Sequence, residues 1–297
     1  MQISTSRLRF LLNSNEFIYL PGTCDPLGGK LIESMEFKAV YVGGWATGAV
    51  RSITEPMLTM NEQLQVASDV ANAVNVPVVT DAGAGFGEPM HAMRTVREFI
   101  RGGIAGIHIE DQAYPKRAHY HKSVVQTIPP KEFIDKIRLC CKQRDKLDQD
   151  FLIIARSDTC RNEGLEEAIR RINMAADVGA DMGFLFPRNH DEAVRAPKMS
   201  RLPLVYDISW GNRDGRPVYS PQQLREMGYK AGIDSLIYLC IAFNFVREAL
   251  GEINKTGKYS AMKNEDFVHI RKEIEDLIGL KEYYKIEEET VERTQKP

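Results

Sequence analysis

The sequence has little of what marks secreted, membrane-spanning or nucleic-acid-binding proteins. Its five cysteines form no CxxC pair and its N-terminal stretch is too polar for a secretory leader, so we expect reduced thiols in a cytoplasmic protein. No apolar run approaches the roughly 20 residues that span a bilayer. The 39 basic and 41 acidic side chains give a net charge of −2. We therefore expect neither nucleic acid nor a membrane as a partner.

What the sequence does have is a long alternation of short apolar runs and helix-like segments. Its 43% apolar and 27% charged residues are typical of a globular protein. Eight runs have the length and composition of strands, and the last of them covers residues 235–239. Over a chain of 297 residues this alternation predicts an α/β fold, with a (β/α)₈ TIM-type barrel in residues 1–241.

Residues 242–297 are predicted to be a helical C-terminal extension of the same domain. The segment is highly charged but carries an apolar stripe at helical spacing, formed by Ile270, Ile274, Leu277, Ile278 and Leu280. A stripe that extends beyond a finished barrel needs a surface to cover. We expect it to pack on a neighbouring subunit of a homo-oligomer.

Two neighbouring strands each end in a carboxylate. One β-branched run reaches Asp81 and a glycine-rich turn, and about thirty residues later a second run reaches Glu110. The helix-like segment between them makes a βαβ unit, so both acids lie at the rim where parallel strands bind ligands. Two carboxylates at this rim predict a site for Mg²⁺, or for Mn²⁺ in its place. An isolated acid at a strand end is more often a helix N-cap or a solvated loop residue, and the pair on adjacent strands carries the prediction.

Two further side chains belong to the same rim. Arg156 follows a continuous apolar run, which places its guanidinium where the fork suits a substrate carboxylate. A structural ion pair with Asp158 is the alternative interpretation. His108 lies two residues before Glu110 and therefore on the same side of its strand, either against a substrate oxygen or as a core histidine.

The connection over residues 113–128 is longer than usual for a barrel loop and is a candidate lid. It contains four cationic or titratable side chains, Lys116, Arg117, His119 and His121. A lid that closes over an acidic substrate would use such groups, and a solvated basic loop would contain them as well.

A glycine pair follows the second strand. Gly43, Gly44 and Trp45 form a segment whose backbone N–H groups offer a seat for a carboxylate or an oxyanion. A tight turn without a ligand is the simpler interpretation of the same residues.

Several motifs, in one order, resemble the isocitrate lyase and phosphoenolpyruvate mutase superfamily. They are LPGTCDPLGGKLIESMEFKAVYVGGW, VPVVTDAGAGFG, AGIHIEDQAYPKR and IIARSDT, followed by GLEEAIRR and GADMGFLFP. The resemblance implies a Mg²⁺-dependent (β/α)₈ barrel that forms a tetramer, a dimer of dimers with swapped eighth helices. It also implies that 2-oxo or 2-hydroxy acids react through enolate-like intermediates.

The resemblance assigns roles to individual residues. Asp81 and Glu110 fall on the metal-site acids, and Tyr41 falls on the turn that holds the substrate carboxylate. The predicted catalytic residues are Arg156, His108, Tyr41 and His121. The predicted substrate-binding residues are Gly43, Gly44, Trp45, Lys116, Arg117 and His119.

The chain departs from the family pattern in and near its lid. Lyases of the family carry Lys-Arg-Cys-Gly-His there, with the cysteine as the acid that protonates the carbanion, whereas this chain has Ala118 in that position. The Asn or Thr of the mutase and hydrolase loops is missing between residues 113 and 125. Gly83 stands in place of a second metal-shell acid and Arg188 in place of a glutamate, which predicts a thinner metal shell and a more positive pocket.

These residues together predict an enzyme. The expected function is a carbon–carbon lyase or decarboxylase that acts on a small 2-oxo or 2-hydroxy dicarboxylate through a metal-bound enolate. Decarboxylation suits the missing cysteine best, because CO₂ departs without a thiol, although a retro-aldol lyase with His119, Tyr120 or His121 as the acid is compatible. The alternatives are a phosphonopyruvate P–C mutase or hydrolase, and a non-catalytic binding or scaffold protein.

Overall fold

A computed structural model describes residues 2–122, 124–208 and 210–291, and residues 292–297 of the predicted extension lie outside the described residues. The chain divides into two compact units between Leu239 and Cys240. The first unit is built on eight parallel strands, β1 (Ile18–Pro21), β2 (Val40–Val42), β3 (Val78–Asp81), β4 (Gly106–Glu110), β5 (Leu152–Ser157), β6 (Met182–Leu185), β7 (Leu204–Asp207) and β8 (Ala231–Asp234).

Helices follow the strands in alternation. The α-helices that begin in the first unit are α1 (Gln2–Asn13), α2 (Pro26–Ser34), α3 (Gly44–Val50), α4 (Met60–Ala73), α5 (Pro89–Arg101), α6 (Pro130–Leu147), α7 (Leu165–Asp177), α8 (His190–Met199), α9 (Pro221–Met227) and α10 (Ile237–Thr256). Three short 3₁₀ helices cover Glu55–Met57, Ala118–Lys122 and Thr159–Arg161.

The sheet closes into a barrel. Its strand order is β1-β8-β7-β6-β5-β4-β3-β2, with parallel pairing throughout. Between β1 and β2 the ring is completed by an isolated bridge from Gly22 to Tyr41, in which Thr23 N donates to Tyr41 O at 2.9 Å. The predicted (β/α)₈ barrel is therefore confirmed, and swapping of helices between subunits stays a prediction.

Alternation along each strand separates two cores. Val40 and Val42 point outwards and pack against the surrounding helices, whereas Tyr41 between them points into the barrel. Leu8 of α1 joins the inner core and closes the end of the barrel that lies opposite the strands' carboxyl ends. Because this end is filled with apolar side chains, the polar chemistry is left to the carboxyl-terminal rim.

The eighth strand was placed wrongly by the sequence. The apolar run at residues 235–239 leads into α10, and the strand is instead Ala231–Asp234. A short apolar run does not distinguish a strand from a helix by periodicity. The true strand contains Ala231 and Gly232, which have low β propensity, and pairing with β1 and β7 holds it in the sheet.

The second unit is helical. It contains most of α10, followed by α11 (Asn264–Leu277) and α12 (Leu280–Glu289). Several large apolar side chains on these helices are exposed, including Phe243 and Phe245 at 65% each. No helix in the described part of the chain is long and apolar enough to cross a bilayer.

Candidate active site

The carboxyl ends of β3, β4 and β5 bring three charged side chains together. In the parallel register Asp81 lies opposite His108, and Glu110 lies opposite Arg156. All of these residues are buried. Arg156 Nη2 lies 3.2 Å from Glu110 Oε2, and Arg156 Nη1 lies 3.8 Å from Asp81 Oδ2. The two acids predicted from the sequence therefore share one guanidinium.

Arg156 forms the ion pair with Asp158 that was the alternative interpretation of its sequence position, and contact with a substrate carboxylate stays a prediction. Its Nε and Nη2 donate to Asp158 Oδ1 and Oδ2 at 3.0 and 3.2 Å, while Nη2 also reaches Glu110. Burial alone would lower the pKa of Arg156, but Asp158, Glu110 and Asp81 raise it well above its usual range. The guanidinium is thus held as a fixed positive charge at the rim, with Asp158 setting its orientation.

The two carboxylates differ in their electrostatic surroundings. Burial raises the pKa of Glu110 above its usual range, against the lowering effects of Lys116 and Arg156. Burial alone would also raise the pKa of Asp81, but His108, Arg156 and Lys116 lower it. Glu110 Oε1 lies 3.1 Å from Lys116 Nζ without hydrogen-bond geometry, and in the described residues it has no hydrogen-bond partner. This oxygen has coordinating capacity left for a cation.

Tyr41 and His108 form the floor of the site. Tyr41 Oη lies 2.7 Å from His108 Nε2, and His108 Nδ1 faces Asp81 Oδ1 at 3.5 Å. Burial lowers the pKa of His108 to about 4, so its ring is neutral at physiological pH. In the described residues His108 Nδ1 has no hydrogen-bond partner, because its approach to Asp81 Oδ1 lacks hydrogen-bond geometry. His108 is therefore held by the Tyr41 hydroxyl at Nε2 and faces the Asp81 carboxylate as a close neighbour.

The glycine pair after β2 begins a helix that the sequence did not predict. Gly43 is the N-cap of α3, and Gly44 N–H faces Asp81 Oδ2 at 3.4 Å. A Cβ at Gly44 would lie 2.9 Å from Asp81 Oδ2 and 3.0 Å from Glu55 Cγ. Gly44 therefore leaves the space in which these two carboxylates approach each other. Trp45, in the first turn of α3, is 38% exposed.

The lid is folded onto the site. Antiparallel bridging of Gln112 with Thr127 joins its two ends. Tyr120, in the 3₁₀ helix of the lid, donates from Oη to Glu55 Oε2. Lys116, which precedes that helix, donates from Nζ to Glu55 Oε1 at 2.5 Å. The cavity that remains beside Asp81, Glu55 and Lys116 has a volume of about 30 Å³, enough for one or two water molecules.

A sequence model described as phosphoenolpyruvate phosphomutase matches residues 8–234. A probable 2-methylisocitrate lyase 2 from Corynebacterium glutamicum is 35% identical over 84% of this chain and 80% of its own length. The chain belongs to the phosphoenolpyruvate mutase/isocitrate lyase superfamily. A crystal structure of 2,3-dimethylmalate lyase is 28% identical, with a TM-score of 0.87 over 97% of this chain and 96% of its own.

Another structure similar to this superfamily member is an oxaloacetate acetylhydrolase in complex with the inhibitor 3,3-difluorooxalacetate. It is 28% identical, with a TM-score of 0.89 over 96% of each chain. The relatives of this chain include lyases, a mutase and a hydrolase. They confirm the predicted superfamily and the prediction of an enzyme of the carbon–carbon lyase class.

The remaining predicted residues of this superfamily member lie away from Asp81 and Glu110. Arg117 and His119 are exposed on the lid. His121 Nε2 lies 2.9 Å from Thr54 Oγ1, and its ring lies 4.0 Å from that of Tyr120. Burial lowers the pKa of His121, although Glu55 opposes this effect. The structure therefore places His121 at the edge of the folded lid.

Arg188 does not make the pocket more positive, contrary to the sequence-based expectation. Its Nη2 and Nε lie 2.6 and 3.0 Å from Glu192 Oε1 in the first turn of α8, and its side chain is 51% exposed. The start of α8 was not predicted, and an i to i+4 ion pair on a helix cannot be recognised without it.

Sequence reasoning missed two basic residues near Arg156. The guanidinium carbons of Arg156, Arg216 and Arg161 lie 4.7, 4.8 and 5.3 Å from the ring centre of Phe186. Asp214 accepts from both Arg161 and Arg216, and Arg161 Nε is buried without a hydrogen-bond partner in the described chain. Arg161 lies two residues after the IIARSDT motif, and this position could have drawn attention to it. Arg216 lies in a connection that contains no motif.

Glu55 is the third residue that sequence reasoning missed. It begins a 3₁₀ helix after α3, in the Thr54-Glu55-Pro56 turn. Within the described ranges, no three Asp, Glu, His or Cys side chains are arranged as a ready set of metal ligands. The chemistry of the donors nevertheless fits a hard cation, since Asp81, Glu110 and Glu55 supply carboxylate oxygens only and Glu110 Oε1 accepts no hydrogen bond from any described residue.

Proposed function

We propose that this protein is a Mg²⁺-dependent carbon–carbon lyase or decarboxylase that acts on a small 2-oxo or 2-hydroxy dicarboxylate through an enolate. One observation carries the proposal: the carboxylates of Asp81 and Glu110 converge with the guanidinium of Arg156 at the carboxyl-terminal rim. An anionic substrate needs positive charge at this rim, and the carboxylates there need a cation to bind it.

Asp81 and Glu110 would hold the cation, with Glu55 as a further oxygen donor. When bound, Mg²⁺ supplies a Lewis acid that polarises the oxygen at carbon 2 and stabilises negative charge that develops there. Gly44 contributes by its lack of a side chain, because any Cβ would fill the space beside Asp81 and Glu55.

Arg156 would neutralise the charge that develops on the substrate. Asp158 and Glu110 orient its guanidinium before substrate arrives, so little reorganisation accompanies the reaction. The neutral His108 is hydrogen-bonded to the Tyr41 hydroxyl through Nε2, and its Nδ1 faces Asp81. This pair would fix the floor of the site beside the Asp81 carboxylate.

Arg161 and Arg216 support the choice of a dicarboxylate. Both lie beside the Phe186 ring, which Arg156 also contacts. The buried Arg161 Nε is a donor that a distal carboxylate oxygen can satisfy. A structural relative is named as an oxaloacetate acetylhydrolase, and oxaloacetate has a carboxylate at each end.

Decarboxylation suits this chain because Ala118 provides no acid at the lid. The bond between carbon 3 and the distal carboxyl breaks, CO₂ leaves, and the bonding electrons remain in the enolate. A proton from water then completes the 2-oxo acid. In the folded lid, Tyr120 and His121 are bonded to Glu55 and Thr54, so either would have to exchange its partner to act as the acid of a retro-aldol reaction.

Product analysis tests the proposal. Purified protein with Mg²⁺ is supplied with oxaloacetate, 2-methylisocitrate, 2,3-dimethylmalate and phosphonopyruvate, and 2-oxo acid, CO₂ and phosphate are measured together. CO₂ with pyruvate from oxaloacetate supports decarboxylation, and a 2-oxo acid without CO₂ from 2-methylisocitrate or 2,3-dimethylmalate supports a lyase. Phosphate with pyruvate from phosphonopyruvate, without turnover of the other three substrates, would contradict the proposal.

A phosphorus–carbon reaction is the second candidate, favoured by the description of the matching family. It keeps the same cation and enolate chemistry but attacks phosphorus. The missing Asn or Thr between residues 113 and 125 counts against it. Phosphate with pyruvate from phosphonopyruvate would decide for a hydrolase, and phosphoenolpyruvate without phosphate would decide for a mutase.

We also propose that the protein is a homo-oligomer, a dimer of dimers. The exposed Phe243, Phe245, Val246 and Leu250 on α10 support this, since so many large apolar side chains are rarely left in water. Sedimentation equilibrium tests the proposal: a tetramer is expected, and Phe243→Asp with Phe245→Asp should shift it towards smaller species. A monomeric wild-type protein would contradict it.

A further inference from the structure

The ammonium of Lys116 lies inside a cage of carboxylates. Lys116 Nζ is 2.5 Å from Glu55 Oε1 and 3.1 and 3.3 Å from the two oxygens of Glu110. Its side chain is only 6% exposed, and those of Glu55 and Glu110 are 9% and 0% exposed. A buried lysine is stable only with such compensation. Lys116 is therefore the cation that these acids bind in this conformation.

Electrostatics keeps the ammonium charged. Burial alone would lower the pKa of Lys116, but Glu110, Glu55 and Asp81 raise it above its usual range. The acids that surround Lys116 are those proposed to hold Mg²⁺. Neighbouring positive charges cannot share the same few oxygens without strong repulsion in a buried site.

We propose that Lys116 and a divalent cation compete for Glu55 and Glu110, so that cation binding expels Lys116 and releases the lid. This inference rests on the proposed cation site and goes beyond it, because it makes the lid a built-in competitor of the metal. In this conformation the carboxylates of Glu55 and Glu110 are turned towards the ammonium of Lys116.

Other contacts connect this exchange to the lid as a whole. The Lys116 ammonium lies 4.1 Å from the centre of the Tyr120 ring, and Tyr120 Oη donates to Glu55. His121, the next residue, bonds to Thr54. Glu55 therefore receives both Lys116 and Tyr120, and loss of either bond weakens the other.

Mn²⁺ binding measured by electron paramagnetic resonance tests the competition without any turnover. Lys116→Met should bind Mn²⁺ at least about tenfold more tightly than the wild type, because the closed lid no longer reduces the binding-competent fraction. Lys122→Met, which removes an exposed lysine from the 3₁₀ helix of the same lid, is the matched control and should bind like the wild type.

Two further measurements distinguish competition from simple charge repulsion. Tyr120→Phe keeps every charge but removes the bond to Glu55, and it should tighten Mn²⁺ binding severalfold. Mn²⁺ should also accelerate tryptic cleavage after Arg117 in the wild type, since expulsion of Lys116 opens the lid. If Mn²⁺ does not change the rate of cleavage, the proposed release of the lid is wrong.

The outcomes separate this inference from the function on which it rests. Equal Mn²⁺ affinity in the wild type, Lys116→Met and Tyr120→Phe would overturn the competition and leave the cation site in place. Absence of Mn²⁺ binding in all of these proteins would overturn the cation site itself, and the competition with it.

Discussion

Glu110 and Arg156 stand opposite each other in the ladder of β4 and β5, and their side chains approach within 3.2 Å at the rim. Glu110 binds the cation in the proposed function, while Arg156 binds the substrate. The register of the sheet therefore places the two roles on neighbouring strands. Asp158 accepts two hydrogen bonds from the guanidinium while Arg156 Nη2 stays paired with Glu110.

Arg156→Lys is expected to lower kcat/KM by about 100-fold, because an ammonium cannot replace the fork that Asp158 orients. Steady-state kinetics on the substrate identified in the product assay measures this loss. The matched control is Arg195→Lys, which changes an exposed ion pair with Glu166 and should leave kcat/KM unchanged. Similar kinetics for the two variants would show that Arg156 has only a structural role.

Tyr41→Phe should lower kcat by about 10- to 100-fold, since it removes the hydroxyl that fixes the His108 ring. Tyr229→Phe is the control: it also removes a buried hydroxyl, which donates to Ala193 O at 2.9 Å far from the rim. Both variants should lose about 1 kcal/mol of unfolding free energy, measured by urea denaturation. If kcat falls equally in both, the loss is not specific to the His108 contact.

Gly44→Ala should lower kcat/KM by at least about tenfold, because the new Cβ would lie 2.9 Å from Asp81 Oδ2 and displace that carboxylate or Glu55. In Gly251→Ala, a methyl group is added to the interior of α10, where nothing lies within 4 Å. This control should retain activity and gain about 0.5–1 kcal/mol of stability. Full activity in Gly44→Ala would contradict the close approach of the two acids.

The contribution of Asp214 to stability should depend on pH. Burial alone would raise the pKa of Asp214, but Arg216 and Arg161 lower it below its unfolded value. A lowered folded pKa stabilises the protein above the unfolded value of 3.8, and this stabilisation is lost as pH falls through the folded pKa.

Urea denaturation of wild type and Asp214→Asn at several pH values checks this sign. The difference in unfolding free energy should be largest above about pH 5 and should shrink as the pH approaches 3. Asp191→Asn, at an exposed position, should show a small difference at every pH. A difference for Asp214 that grows as the pH falls would contradict the ion pairs with Arg161 and Arg216.

The sequence predicted the acids and Arg156 because each ends a continuous apolar strand, and parallel strands carry such residues to one rim. It did not predict the partners that come from other connections. Glu55 lies in a turn after a helix of only seven residues, and Arg216 lies between β7 and α9 without a periodic pattern. Tertiary contacts decide where such residues lie. In the same way, pairing with β1 makes Ala231–Asp234 the eighth strand, although residues 235–239 are the more apolar run.

The central claim is that a cation held by Asp81 and Glu110 drives carbon–carbon cleavage. The most direct measurement follows 2-oxo acid formation from the best substrate of the product assay with Mg²⁺, after chelation, and after Mg²⁺ is restored, in wild type and Asp81→Asn. We expect turnover that disappears on chelation and returns with Mg²⁺ in the wild type, and almost none in Asp81→Asn. Turnover that survives chelation, or an Asp81→Asn variant as active as the wild type, would contradict the account.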